Sequence, residues 1–265
     1  MQYGAMNFPV RPTLSEIESI AGLGFDYVEL TMDPPQAHHS TIREQQEELN
    51  ALLSKLNVGL ICHLPSFLCT ADLTPRLREA SNLEVIDCLE TAAMLNPLKV
   101  VLHPSYITGL GALVPDLCKR YAHESLEVAT QKASDLGLTI CLENMFDKAG
   151  VMIEPEEFEE VFEKFPSLKL TLDIGHANIG GSGQKRALSY IRRLGDRIGH
   201  VHVSDNFGKA DNHLPIGAGR IDFPKIMKAL KKTGYDDTIT LEIFSRDQEY
   251  LWQSKNKLAL ILAGC

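Results

Sequence analysis

The chain has 265 residues, 44% of them hydrophobic, with 35 acidic against 26 basic side chains and a formal net charge of −9. That is enough chain to bury a sizeable core, and the acidic balance argues against a general nucleic-acid binder, which carries a basic face. No apolar run reaches ~18 residues, so no membrane span is expected.

Apolar runs of strand length alternate with longer segments of helical period from end to end. Strands are predicted at Gln2–Asn7, Tyr27–Thr31, Val58–His63, Lys99–His103, Leu138–Glu143, Lys169–Asp173, Ile198–Ser204 and Thr238–Ile243. Helices are predicted at Thr13–Leu23, Thr41–Leu56, Arg76–Leu95, Ala112–Leu136, Glu154–Phe165, Gln184–Leu194, Phe223–Thr233 and about Asp247–Leu262. Gly24, Gly137 and Gly234 each follow a helix and precede a strand, where a left-handed residue is expected. Glu154-Pro155-Glu156-Glu157 opens a helix with proline and acid in its first turn. No linker or low-complexity segment divides the chain, so residues 1–265 are expected to form one domain. Eight β/α units in this length are the arithmetic of an α/β (β/α)₈ TIM barrel; an open doubly wound sheet rarely has eight and usually carries a glycine-rich first turn, absent here.

The N-terminal residues lack the basic region and apolar core of a signal peptide. Cysteines at 62, 69, 88, 118, 141 and 265 form no C-x-x-C pair, and several lie in apolar runs. Reduced, buried thiols in a cytoplasmic protein are expected.

In a barrel strand alternate side chains point inward, and the last inward residue meets the mouth. Period two turns Tyr27 and Glu29 inward, then His63, His103, Glu143, Asp173, His200 with His202, and Thr240 with Glu242. Six consecutive strands thus end in His, Asp or Glu. A lone strand-end histidine or carboxylate is usually structural. Six converging are different, because packed carboxylates repel one another and a divalent cation is the simplest neutraliser. Two glutamates, an aspartate and a histidine fit Mn²⁺, Zn²⁺, Mg²⁺ or Co²⁺, with the extra imidazoles favouring transition metals. Beyond the strands, His176 follows Asp173 by three residues and faces the same cavity, and Asp211 with His213 forms a further chelating pair. Gly217-Ala218-Gly219-Arg220 stands where many barrels bind phosphate, though as a motif it is also an ordinary turn. Tyr3, Phe8, Phe67, Tyr106 and Phe146 are candidate pocket aromatics.

The segments Cys62-His63-Leu64-Pro65, Leu102-His103-Pro104, Leu142-Glu143-Asn144, Leu172-Asp173-Ile174-Gly175-His176, His200-Val201-His202-Val203-Ser204-Asp205-Asn206, Asp211-Asn212-His213-Leu214-Pro215-Ile216-Gly217 and Leu241-Glu242-Ile243 carry a resemblance. In this order, through nearly the whole chain, they resemble the xylose-isomerase-like TIM-barrel superfamily of sugar isomerases, ketose 3-epimerases, inosose dehydratases and endonuclease IV-type nucleases. In epimerase-like members, residues matching Glu143, Asp173, His202 and Glu242 hold one divalent metal, the two glutamates act as acid and base, and the match to His176 contacts substrate oxygens. The resemblance therefore implies a metal-dependent sugar, sugar-phosphate or cyclitol isomerase or epimerase working through an enediolate on a small carbohydrate. The arginine that ketose 3-epimerases carry after the strand-seven histidine is not visible; Asn206-Phe207-Gly208-Lys209 stands there. Endonuclease IV-like members use nine ligands for three zinc ions, and His63, His103, Glu143, Asp173, His176, His202, Asp211, His213 and Glu242 fill all nine matching positions. Abasic-DNA phosphodiester hydrolysis is the alternative, weighed down by the acidic charge and the lack of a basic DNA-contacting loop. Trp252 and the apolar run Leu258–Leu262 suggest a closing helix that could also support a homodimer.

Overall fold

The computed structural model describes residues 1–180 and 184–265. Eight parallel strands close into a barrel in sequence order: β1 (Gln2–Met6), β2 (Tyr27–Thr31), β3 (Gly59–His63), β4 (Val100–Leu102), β5 (Ile140–Glu143), β6 (Lys169–Asp173), β7 (Ile198–Val203) and β8 (Thr238–Leu241). Closure is made by β1 on β8, with Gly4 opposite Thr240. The helices are α1 (Thr13–Gly22), α2 (His39–Glu44), α3 (Gln46–Leu56), α4 (Pro75–Leu95), α5 (Pro115–Asp135), α6 (Pro155–Lys164), α7 (Ile174–Asn178), α8 (Lys185–Leu194), α9 (Phe223–Lys231) and α10 (Glu249–Ala263). The result is a single-domain TIM barrel.

All eight predicted units are present, and the departures have local causes. The predicted helix Thr41–Leu56 is two helices that break at Gln45 (φ −100°, ψ 6°). The Gln45 N–H closes on the Thr41 and Ile42 carbonyls, a tight turn that no glycine or proline announces. Helix α5 starts at Pro115 rather than Ala112, because proline fits the first helical position and has no N–H to give an earlier carbonyl. Residues Gly109–Leu113 form a 3₁₀ turn before it. Gly24, Gly137 and Gly234 take the left-handed conformation expected of them, with φ of 75°, 69° and 84°. At α6, Glu154 accepts from the Glu157 N–H while the Glu157 carboxylate accepts from the Glu154 N–H.

Strand alternation divides the apolar residues into two bodies. Outward-facing Val28, Leu30, Val100, Leu142, Leu170 and Val201 join the helices in the large outer core, where full burial of each such side chain contributes ~1.5–3 kcal/mol. Inside the barrel a separate small cluster, Tyr27, Ile61 and Val101, forms the floor. Gly4 makes room for it, since a Cβ there would lie 2.1–2.5 Å from the Tyr27 ring. Cys62, Cys88, Cys118 and Cys141 are buried free thiols, Cys69 is half-buried and Cys265 is exposed. Among the described residues no helix is long and apolar enough to cross a membrane.

Candidate metal centre

Above the floor the inward positions turn from apolar to ionisable, and the strand ends deliver them to a cavity of about 700 Å³. His63, Glu143 and Asp173 are the last residues of β3, β5 and β6, His202 is next to last in β7, and His103 and Glu242 lie one residue past β4 and β8. Asp173 also caps α7: its Oδ1 accepts from the His176 N–H at 2.6 Å. This cap turns the chain so that His176 faces back into the cavity. Asp211 and His213 come from the loop after β7, with His213 held at φ 47°.

One atom sits at the hub. His202 Nδ1 lies 2.9 Å from Glu242 Oε1, 3.4 Å from Glu143 Oε2 and 3.8 Å from Asp173 Oδ2. Around Glu143, His103 Nε2 stands at 3.2 Å, His63 Nε2 at 3.4 Å and His176 Nδ1 at 3.2 Å. Asp211 Oδ2 bridges His213 Nε2 at 2.8 Å and His176 Nε2 at 3.3 Å. All nine residues singled out from the sequence therefore converge. Three overlapping triplets, His63–Glu143–His202, Glu143–Asp173–His176 and Asp173–His202–Glu242, have ligand atoms within 4.8 Å of one another.

The histidines are oriented as ligands are. His63 Nδ1–H donates to the Leu64 carbonyl at 2.7 Å, His103 Nδ1–H to Ser66 at 3.1 Å, His176 Nδ1–H to Asn144 at 2.9 Å and His213 Nδ1–H to Glu242 at 3.1 Å. A carbonyl can only accept, so in each neutral ring the lone pair lies on Nε2 and points into the cavity. In His202 the arrangement is reversed. Its Nε2–H donates to Glu29 Oε1 at 2.9 Å, leaving Nδ1 as the free donor atom at the hub.

Glu29 was expected inside the barrel but in no role. It is fully buried, and its second oxygen takes His200 Nε2–H at 2.9 Å and the Thr240 hydroxyl. Tyr27 and Thr238 complete this layer, at 2.9 Å from Thr240 and 2.7 Å from His200. His200 thus belongs beneath the centre, where alternation had put it.

Burial raises the cost of every charge here, and partners decide the outcome. Burial alone pushes the Glu143 carboxyl up, but the His202 and His103 imidazoles outweigh it and hold it well below the usual range. Glu242 is lowered against the same burial by His202. Burial, aided by Glu242 and Glu143 and opposed by His176, pushes Asp173 up to about 8. Burial disfavours a charged His63, yet Glu143 lifts it to about 9; Asp211 does the same for His213, also to about 9. His176 and His202 are raised well above the ordinary value, again against burial. Four carboxylates here need compensating positive charge, which either extra protons or a divalent cation can supply. The cation fits the donor atoms: both Glu143 oxygens, His202 Nδ1 and Asp211 Oδ1 are buried without a hydrogen bond.

The wall of the cavity includes Phe8, Phe67, Tyr106, Phe146 and Phe244. Tyr3 is not part of it, contrary to expectation. It lies at the start of β1, away from the mouth, with its N–H on Asp26 and its ring against the outer core. The glycine loop also departs from expectation. Gly217 and Gly219 donate their N–H groups to Asp205 Oδ2 at 2.8 and 2.9 Å, and Ile221 donates to Oδ1 at 3.1 Å. The buried Asp205 carboxylate is the anion this nest holds, so these N–H groups are not free for a phosphate. Asn206, where the epimerase arginine was missing, is buried and ties Asn178, Gly175 and Gly208 together.

The family model described as xylose isomerase-like TIM barrel matches residues 17–260. The chain belongs to that family. It is 32% identical to an uncharacterised protein, MJ1311, of Methanocaldococcus jannaschii over 91% of this chain and 83% of that one. It is 24% identical to a fructoselysine 3-epimerase of Escherichia coli O157:H7, over 53% and 50% of the two chains. Among solved structures, a D-tagatose 3-epimerase-like protein superposes with TM-score 0.88 at 30% identity, covering 99% of this chain and 97% of the other. A D-psicose 3-epimerase from Clostridium cellulolyticum H10, solved with D-tagatose, has the same fold (TM-score 0.81, 20% identity, 99% of both chains). Homologues and structural neighbours thus include proteins named as sugar 3-epimerases.

Proposed function

We propose that the protein is a divalent-metal-dependent epimerase or isomerase acting on a sugar, sugar phosphate or cyclitol. The observation that carries the reading is the orientation of the histidines. Each has one nitrogen committed to a carbonyl or to Glu29, and the other turned toward a shared carboxylate cluster. Glu143, Asp173, His202 and Glu242 would hold the principal ion, Mn²⁺ or Zn²⁺ by the mixed nitrogen and oxygen donor set, with Mg²⁺ or Co²⁺ as substitutes. Bound there, a divalent cation supplies positive charge for an oxyanion developing on a sugar carbonyl.

The protein's own groups divide the remaining work. Asp173 and His202 lie below the cavity surface, whereas Glu143, Glu242 and His176 line it. Glu143 and Glu242 therefore reach both the ligand hub and a substrate. One of them, as the carboxylate, can remove the proton from the carbon next to the carbonyl, while the other, as the carboxylic acid, delivers its own proton to the opposite face. His176, with Nδ1–H fixed on Asn144, offers Nε2 to a substrate hydroxyl. The aromatic wall presents flat apolar surface to sugar C–H faces. Reduced thiols and the absence of any membrane-crossing helix among the described residues fit a cytoplasmic enzyme with a small-molecule substrate. The half-exposed Trp252 and exposed Leu260 on α10 leave room for a homodimer contact. A screen of ketoses, aldoses and inososes with Mn²⁺ in deuterated water tests the reading; no turnover and no deuterium uptake would overturn it.

A second reading rests on one observation, the convergence of all nine positions that match a three-zinc nuclease, including His63, His103, His176, Asp211 and His213. It predicts close to three zinc ions per chain and incision of an abasic duplex. The net charge of −9 and the aromatic wall favour the carbohydrate. Zinc-loaded protein that leaves the duplex intact excludes the nuclease.

A further inference from the structure

A second cluster of ligand-type side chains stands apart from the mouth, on the outside of the barrel. His38 and His39 sit at the start of α2, and Glu84 faces them from the middle of α4. Glu84 Oε1 lies 3.0 Å from His38 Nε2 and 3.5 Å from His39 Nε2, and the three donor atoms fall within 4.8 Å of one another. A tetrahedral ion with ligand distances of ~2.0–2.1 Å has donor–donor edges of ~3.3–3.4 Å, and the two measured edges bracket that value. The two imidazoles are close, with ring centroids 4.1 Å apart, yet converge on a single carboxylate.

The surroundings agree with a ligand role. His38 Nδ1 is 2.8 Å from the Ser40 hydroxyl, which can accept the Nδ1 proton once Nε2 binds an ion. The longer contact at 3.3 Å, in which the Ser40 N–H donates to Nδ1, holds that lone pair when no ion is bound and has to give way. His39 Nδ1 is buried and has no hydrogen-bond partner, so no competing bond anchors that ring away from a metal. Side-chain exposures of 33% for His38 and 26% for Glu84 leave a path for the ion and a fourth position for water. These groups lie at the exit of the β2–α2 loop, which carries Asp33 and Pro34 to the cavity wall. Asp33 in turn takes the N–H and hydroxyl of Ser66 from the next loop.

We propose that His38, His39 and Glu84 form a separate transition-metal site, with zinc as the best-fitting ion, that clips the β2–α2 loop to α4. The site is structural rather than catalytic, because none of its ligands touches the mouth cavity. It is also independent of the number of ions held at the mouth.

The test is a difference in metal content between native protein and the His38→Gln, His39→Gln and Glu84→Gln variants. Each is equilibrated with zinc alone, freed of excess, and measured by mass spectrometry. The expected result is one zinc fewer per chain in each variant, whatever total the native chain holds. Cobalt substitution should add a tetrahedral visible band in native protein that the variants lack. Equal metal content in native and variant chains overturns the proposal, and so does a cobalt spectrum unchanged by the substitutions. His38→Gln, at the most exposed ligand, supplies the reading should Glu84→Gln fail to fold. Turnover is not the readout, so failure of the epimerase reading leaves this result interpretable.

Discussion

Glu29 Oε1 and His202 Nε2 are 2.9 Å apart across the barrel lumen, and both side chains are fully buried. The carboxylate comes from β2 and the imidazole from β7, with β1 and β8 between them in the closed sheet. This contact decides which nitrogen of His202 faces the three carboxylates above, and so links a buried polar layer to the chemistry of the mouth.

Replacing Glu29 should therefore weaken metal binding without touching a ligand. Glu29→Gln is expected to lower affinity for the mouth ion by ~10–100-fold, the usual cost of losing such an outer partner. Competition with a fluorescent chelator measures it. Unchanged affinity in a folded variant would show that the contact does not orient His202.

Glu143→Gln and Glu242→Gln separate proton transfer from packing. Each should reduce turnover by ~10²–10⁴-fold, the range for loss of a general acid or base. Solvent-deuterium incorporation into recovered substrate is the sharper readout, since it falls even where net conversion is hard to follow. Either variant turning over at the native rate removes that glutamate from the mechanism.

The metal-free protein should lose stability as pH rises through neutrality. His63 and His213 are lifted from 6.5 to about 9, burial opposing and the Glu143 and Asp211 carboxylates prevailing. A folded-state value above the unfolded one means the native state keeps a proton that the unfolded chain releases. That contribution is complete below 6.5 and is lost as pH climbs through about 9. Asp173, raised from 3.8 to about 8, acts in the same direction over a lower window. Tm of chelator-treated protein should fall between pH 6.5 and 9, and a rise over that range would contradict the assignment. Metal-loaded protein should resist the fall, because binding requires the deprotonated ligands that high pH provides.

Asp205 is expected to matter for folding rather than catalysis. Its carboxylate takes four backbone N–H groups, those of Asn206, Gly217, Gly219 and Ile221, and Asp205→Ala would leave those donors without their partner. A loss of about 4 kcal/mol or more follows from ~1–3 kcal/mol per buried unsatisfied group. Gly219→Ala should be damaging for a related reason, since its Cβ would fall 2.3 Å from Asp205 Oδ1 and 2.4 Å from the Asn206 carbonyl. Urea unfolding measures both, and a change under ~1 kcal/mol for Asp205→Ala would show that the nest does not depend on it.

Much of the barrel was legible because its signals are local. Period-two alternation is a property of a single strand, so it turned His63, His103, Glu143, Asp173, His202 and Glu242 to the mouth without knowledge of any neighbour. The glycine loop was less legible. Gly217 and Gly219 look alike whether they cradle a ligand or a carboxylate of the same chain, and Asp205 lies 12 residues before Gly217. The break at Gln45 was hidden because the apolar period runs through it.

The amino-acid sequence alone determined the eight-unit barrel, the inward set and its concentration of donors at one end. Only the tertiary structure decided what those donors do to one another. Which carbonyl holds each Nδ1, which oxygen of Glu143 meets which imidazole, and that Glu29 stands under His202 all depend on barrel closure. Closure joins strands distant in sequence, at a register set by packing across the lumen rather than by any local pattern.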